Sequence, residues 1–227
     1  MNGLRDAVAA AARRLAEEGL LIGTAGNVSA SDPASGHVAI TATGVVLADC
    51  TADQVSVVDQ HGSLLAGDLE PTSELGLHLA VIRTYGVAAV VHTHAPNAVA
   101  FSALGRPIEA IGHEGSLFSE SLPVFSETSD LIVDQARGKA VARALGDSNY
   151  LLLQNHGIVT CGRTIEEATV LALYFEKACK IQLMVEACGG AKRVSTPEDA
   201  KVKRGRILPQ SAQVFKYLTR RCMHGHD

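Results

Sequence analysis

His92-Thr93-His94 sets two imidazoles one residue apart, directly after the apolar run Val87-Ala88-Ala89-Val90-Val91. In an extended chain, residues i and i+2 face the same way. Both rings therefore converge at one end of a strand. Alone, the pair fits either a metal site or two histidines that hydrogen-bond the end of a strand. A third candidate is His156, in Asn155-His156-Gly157 after the apolar run Tyr150-Leu151-Leu152-Leu153. Neighbouring strands would carry both loops to the same sheet end. Three neutral imidazoles without a thiolate suit one divalent transition metal, zinc first, with manganese or cobalt as alternatives. Three protein ligands also leave the open position of a catalytic site rather than the closed shell of a structural one.

Pro71-Thr72-Ser73-Glu74 reads as a helix start, where the dipole favours a carboxylate. Glu74 fits an ordinary cap or an acid/base beside the metal. His78, one turn later on the same face, fits a partly buried structural role or an approach to the site.

The remaining elements must position these groups. The pattern predicts helices over 4–18, 71–85, 96–104, 130–145, 164–187 and 210–220. It predicts strands over 37–41, 55–58, 64–65, 87–91, 150–153 and 158–161, with Asp59-Gln60-His61-Gly62 as a hairpin turn. Thr164 and Glu167 have the spacing of a capping box. Hairpin-linked strands among helices indicate a single α/β domain over 1–227 with a central mixed or antiparallel sheet flanked by helices. The tail 223–227 is expected to fray, and its His224 and His226, with no strand before them, are not a site.

Apolar residues make up 47% of the chain and charged residues 19%, enough for a full core and against disorder. The net charge is −4, and Lys201, Lys203, Arg204 and Arg206 form the only basic cluster, read as a solvated surface. Aromatics are 4% with no Trp, so neither a nucleic-acid footprint nor a stacking platform is present. No run reaches the length of a membrane span. Five scattered cysteines without a CxxC pair suggest reduced thiols and a cytoplasmic location.

Gly26-Asn27-Val28-Ser29, Thr43-Gly44, Pro71-Thr72-Ser73-Glu74, His92-Thr93-His94 and Asn155-His156-Gly157 occur in the order and spacing of the class II aldolase and adducin superfamily. The resemblance covers about residues 4–188 and leaves 189–227 as an extension. It implies that His92, His94 and His156 hold the metal and that Glu74 is the acid/base. It further implies that Gly26, Asn27, Thr43, Gly44, Thr72 and Ser73 cradle a substrate anion, a role that glycine turns, hydroxyls and a helix start also suit on physical grounds. The implied activity is carbon–carbon lyase chemistry through a metal-stabilised enolate on a small anionic substrate. The implied assembly is a homotetramer with its active site near a subunit interface.

The resemblance branches at Ile111-Gly112-His113-Glu114-Gly115, where the sugar-phosphate aldolases carry a tyrosine and this chain has none between Phe101 and Asn149. That stretch is more similar to decarboxylases of hydroxylated aromatic acids such as 3,4-dihydroxyphthalate. Decarboxylation is accordingly the first expectation, with His113 as proton donor or carboxylate partner. The alternative is retro-aldol cleavage of a sugar phosphate of the L-fuculose-phosphate type. A non-catalytic adducin-like module is the third reading, disfavoured because all three histidines and Glu74 are present.

Overall fold

The computed structural model describes residues 2–221. The tail expected to fray, with His224 and His226, lies outside them. The elements run α1 (Asn2–Glu17), β1 (Asn27–Ser31), β2 (Val38–Thr41), β3 (Val55–Val58), β4 (Leu64–Ala66), α2 (Leu75–Tyr85), β5 (Ala89–Thr93), α3 (Pro96–Ser102) and α4 (Gly112–Phe118). They continue with β6 (Val124–Phe125), α5 (Gln135–Leu145), β7 (Tyr150–Leu153), β8 (Gly157–Gly162), α6 (Ile165–Ala187), α7 (Pro197–Ile207) and α8 (Ser211–Arg221).

One eight-stranded sheet has the order β4-β3-β2-β1-β5-β8-β7-β6. Every pairing is antiparallel except β6 with β7, so the sheet is mixed. Helices cover both faces, as the apolar character of the central strands requires. Ala89 and Val91 of β5 and Ile158 of β8 face the core shared with α1, α3 and α6. Val90, Val159 and Cys161 face the core shared with α2 and α5. By the two-residue repeat, His92 points with Val90 to the α2 side. Among the described residues, no helix is long and apolar enough to cross a membrane.

Several expected boundaries move. Pro71 does not open α2. It forms an isolated bridge with Ala42, the Thr72 N–H donates to the Thr41 carbonyl, and the helix begins at Leu75. Likewise 130–134 is a loop, and α5 begins after Asp134, whose carboxylate accepts the Arg137 N–H at 2.7 Å. β5 extends through Thr93, so His92 lies within the strand rather than after it. Only half of the capping box forms. Thr164 accepts the Glu167 N–H, while the Glu167 carboxylate takes the Arg163 N–H instead.

Helices α4 and α7 have no counterpart in the sequence reading. α7 is capped by Thr196, which accepts the Asp199 N–H. The segment beyond 188 packs back on the domain through α4–α7 and α6–α8 contacts.

Candidate metal centre and acid/base site

β5 and β8 pair antiparallel with His92 opposite Val159 and Thr93 opposite Ile158. That register sets His94 beside the turn that carries His156. Gly157 makes the approach possible. A Cβ there would collide with the Thr93 carbonyl and press on the Cα of His94. Gly26 does the same on the other side of β5. Its φ is +88°, and a Cβ would stand 2.9 Å from the His92 carbonyl oxygen.

The candidate ligand atoms of His92, His94 and His156 all lie within 4.8 Å of one another. The ring centroids are 4.9 to 5.0 Å apart. His92 Nδ1 donates to the Ile158 carbonyl at 3.0 Å, which leaves the Nε2 lone pair facing the cluster. That atom is 3.2 Å from His94 Nε2. Both ring nitrogens of His156 are buried without a hydrogen-bond partner. Buried polar atoms normally find partners, and a cation among the three rings would supply one to His156. The donor set therefore fits a divalent cation. Burial first, then the neighbouring His92, pushes the His156 imidazole down to about 4, and the same two causes lower His94. Neutral imidazole is the form that ligates.

Glu74 stands at the cap position of α2 but caps nothing. Its side chain turns into the site instead. One oxygen, Oε2, is 3.3 Å from His92 Nε2 and accepts the Asn27 amide at 3.0 Å. The other, Oε1, accepts the Ile132 backbone N–H at 3.0 Å. Burial works to raise this carboxyl. The nearby His92, the Asn27 amide and the Ile132 N–H outweigh it and hold it at about 2.

The expected anion cradle divides. Thr43 and Gly44 are exposed and lie against the 70–73 segment, with the Thr43 hydroxyl donating to the Pro71 carbonyl at 2.9 Å. Thr72 is half-buried and Ser73 exposed. Thr43 thus bonds the segment that leads into Glu74. Asn27 differs from all four. Its side chain is buried, and its two amide protons go to Thr72 Oγ1 at 3.2 Å and to Glu74. An expected substrate donor is thus committed inside the protein, and Gly26 serves close packing against β5.

His113 is exposed on the first turn of α4 and is not part of the histidine cluster of its own chain. Its neighbour Glu114 pairs with Lys177 of α6 at 2.7 Å. Three arginines that could otherwise offer a guanidinium to an anion have partners within this chain. Arg83 donates to the Leu79 carbonyl, Arg106 pairs with Glu186, and Arg137 pairs with Asp130 and Asp134.

Sequence reasoning missed three contributors. The Ile132 N–H on Glu74 carried no side-chain signal. Ser102 ends α3, and its hydroxyl accepts the N–H of Asn155, the residue before His156. Ser29 bonds His78 behind Asn27, and its place two residues from Asn27 on a strand was the available clue. His78, expected either in a partly buried structural role or near the site, is fully buried.

A family described as "Class II Aldolase and Adducin N-terminal domain" matches residues 6–183. An L-fuculose phosphate aldolase of Methanococcus maripaludis is 32% identical over 166 residues, 73% of this chain and 88% of its own. A 5-deoxy-D-ribulose 1-phosphate aldolase of Bacillus thuringiensis is 27% identical over 86% of this chain and 90% of its own. The solved L-fuculose 1-phosphate aldolase of Glaciozyma antarctica superposes with a TM-score of 0.84 over 99% of this chain and 90% of that one. At 24% identity it speaks for the fold alone. The chain belongs to the class II aldolase and adducin family and is an enzyme of the lyase type.

Proposed function

We propose that this enzyme cleaves a ketose 1-phosphate by a retro-aldol reaction, with His92, His94 and His156 holding one divalent metal, zinc first. The observation that carries the reading is the Glu74 carboxylate 3.3 Å from His92 Nε2, beside the cluster of buried His92, buried His156 and half-buried His94. A cation bound there supplies Lewis-acid polarisation of a substrate oxygen.

The chain's own groups supply the rest. Cleavage takes the proton from the hydroxyl of the departing carbon, which leaves as an aldehyde, leaves the bond's electron pair on the adjoining carbon of the phosphorylated half, and returns a proton to that adjoining carbon. Glu74 carries one of these protons. The exposed His113, offered by a neighbouring subunit of a homotetramer, is the candidate for the other. The aldolase names of the relatives favour this reading over the decarboxylation expected from His113-Glu114-Gly115. Among the described residues the cysteines Cys50, Cys161, Cys179 and Cys188 are free, which supports a reducing, cytoplasmic compartment.

The test is release of dihydroxyacetone phosphate from L-fuculose 1-phosphate and from 5-deoxyribulose 1-phosphate. The activity is expected to vanish with EDTA and return with zinc. Carbon dioxide from 3,4-dihydroxyphthalate, with neither sugar cleaved, would overturn the proposal and reinstate the decarboxylase.

A further inference from the structure

Behind Glu74 a line of four polar side chains runs into the protein. Ser29 Oγ is 2.7 Å from His78 Nδ1. His78 Nε2 is 2.5 Å from Asn27 Oδ1. Asn27 Nδ2 is 3.0 Å from Glu74 Oε2. All four residues are buried, His78 and Ser29 completely. The line arises from two periodicities in register. Asn27 and Ser29 share one face of β1, while Glu74 and His78 share one face of α2. Asn27 itself lies opposite His92 in the β1–β5 ladder, so the line ends at a candidate metal ligand.

Its hydrogen-bond direction follows from elimination. An ionised Glu74 only accepts, so Asn27 must turn its NH2 toward it. Oδ1 then faces His78, whose Nε2 must carry the proton. Nδ1 is left to accept from the Ser29 hydroxyl. The opposite amide orientation would set Asn27 Oδ1 against the Glu74 carboxylate, two acceptors face to face, and would set its NH2 against His78, with only the Thr72 hydroxyl left to offer Oδ1 a proton.

We propose that His78 is a positioning residue. As the Nε2–H tautomer backed by Ser29, it locks the Asn27 amide with its NH2 toward Glu74 and so holds that carboxylate against His92. His78 touches neither substrate nor metal in this role. It acts through Asn27, and the burial of the imidazole keeps it neutral. The role rests on the aldolase reading only in so far as Glu74 is the acid/base.

The test uses the full-length, zinc-loaded protein and three variants. Histidine ¹⁵N spectra of the wild type are expected to show His78 as the Nε2–H tautomer. His78→Leu removes the donor at similar volume. It is expected to lower kcat about 10- to 100-fold, with KM within about 2-fold and zinc still one per chain. His78→Gln restores an N–H near the Nε2 position and is expected to recover most of kcat. Should His78→Leu not fold, Ser29→Ala carries the comparison, with kcat lowered roughly 5-fold, the size of one neutral hydrogen bond. An Nδ1–H tautomer would overturn the proposal. So would a His78→Gln enzyme no better than His78→Leu, or a Ser29→Ala enzyme with wild-type kcat. The tautomer and the zinc count need no substrate. A wild type inactive on sugar phosphates would therefore fail the functional reading while the His78 assignment is still decided.

Discussion

The Ser102 hydroxyl accepts the backbone N–H of Asn155 at 2.8 Å, while its own proton goes to the Val99 carbonyl. Asn155 is the only described non-glycine residue with positive φ, at 57°, and His156 follows it. α3 thus acts as a strut between the two ligand loops. It starts two residues after His94, where Glu176 of α6 accepts the Asn97 and Ala98 N–H groups at 2.9 Å each, and it ends by holding the turn that presents His156. Ser102→Ala removes the acceptor of the Asn155 N–H that fixes this turn. It should weaken metal binding roughly 10- to 100-fold, read by competitive zinc titration against a chelator. An unchanged dissociation constant would mean that the β7–β8 hairpin alone fixes the turn.

Glu74→Gln keeps the shape of the side chain and removes its charge. If Glu74 moves a proton in turnover, kcat should fall on the order of 100- to 10,000-fold. Bound metal should stay at the wild-type amount, because the three imidazoles are intact. Loss of metal in proportion to activity would reassign Glu74 to ligand support.

Gly157→Ala forces a Cβ into the Thr93 carbonyl. Overpacking of this kind costs roughly 1–3 kcal/mol, and the strands here have little freedom to part because both are central. Denaturant unfolding of the metal-free variant should show that loss. Zinc should stabilise the wild type, by about 2.7 kcal/mol at a hundredfold excess over the dissociation constant, and should stabilise His156→Ala far less. Equal stabilisation of both would place the metal elsewhere.

The pH dependence of the metal-free protein has a definite sign. His78 is pushed by burial to about 3 and His156 to about 4, both from an ordinary value of 6.5. Below pH 6.5 the unfolded chain therefore takes up protons that the folded chain refuses, and stability falls with pH, by up to ~1.4 kcal/mol per unit for each such group. Glu74, held at about 2 against an ordinary 4.5, adds stability above pH 4.5 that is lost as pH drops toward 2. Chemical denaturation at pH 7, 6 and 5 measures the histidine part. A flat profile would show that the folded protein admits those protons.

Much of the site was legible because it rests on local periodicity. His92 and His94 share a strand face by spacing alone, and Asn155-His156-Gly157 sits in the turn its composition suggests. The helix starts were misread where backbone groups serve tertiary bonds. The Thr72 N–H pairs with the Thr41 carbonyl and the Ile132 N–H with Glu74, so neither segment is free to coil. α4 hides in a glycine-rich stretch. Its fold depends on Phe118 packing edge-on to Tyr150 at 4.8 Å and against Phe175, contacts far apart in sequence. α7 buries a single side chain, Ala200, and so leaves no apolar stripe to detect. The inward partners of Asn27, Thr72 and Glu74, were not legible because its motif does not show which way its amide faces.

The pairing of β5 with β8 joins segments 66 residues apart, the span between His92 and the Ile158 carbonyl it bonds. Closing so long a loop is entropically unfavourable, and such contacts form late in folding. His156 cannot meet His92 and His94 until that loop has closed. Zinc uptake during refolding therefore serves as a clock for the arrival of native topology, one that starts only when the centre of the sheet is complete.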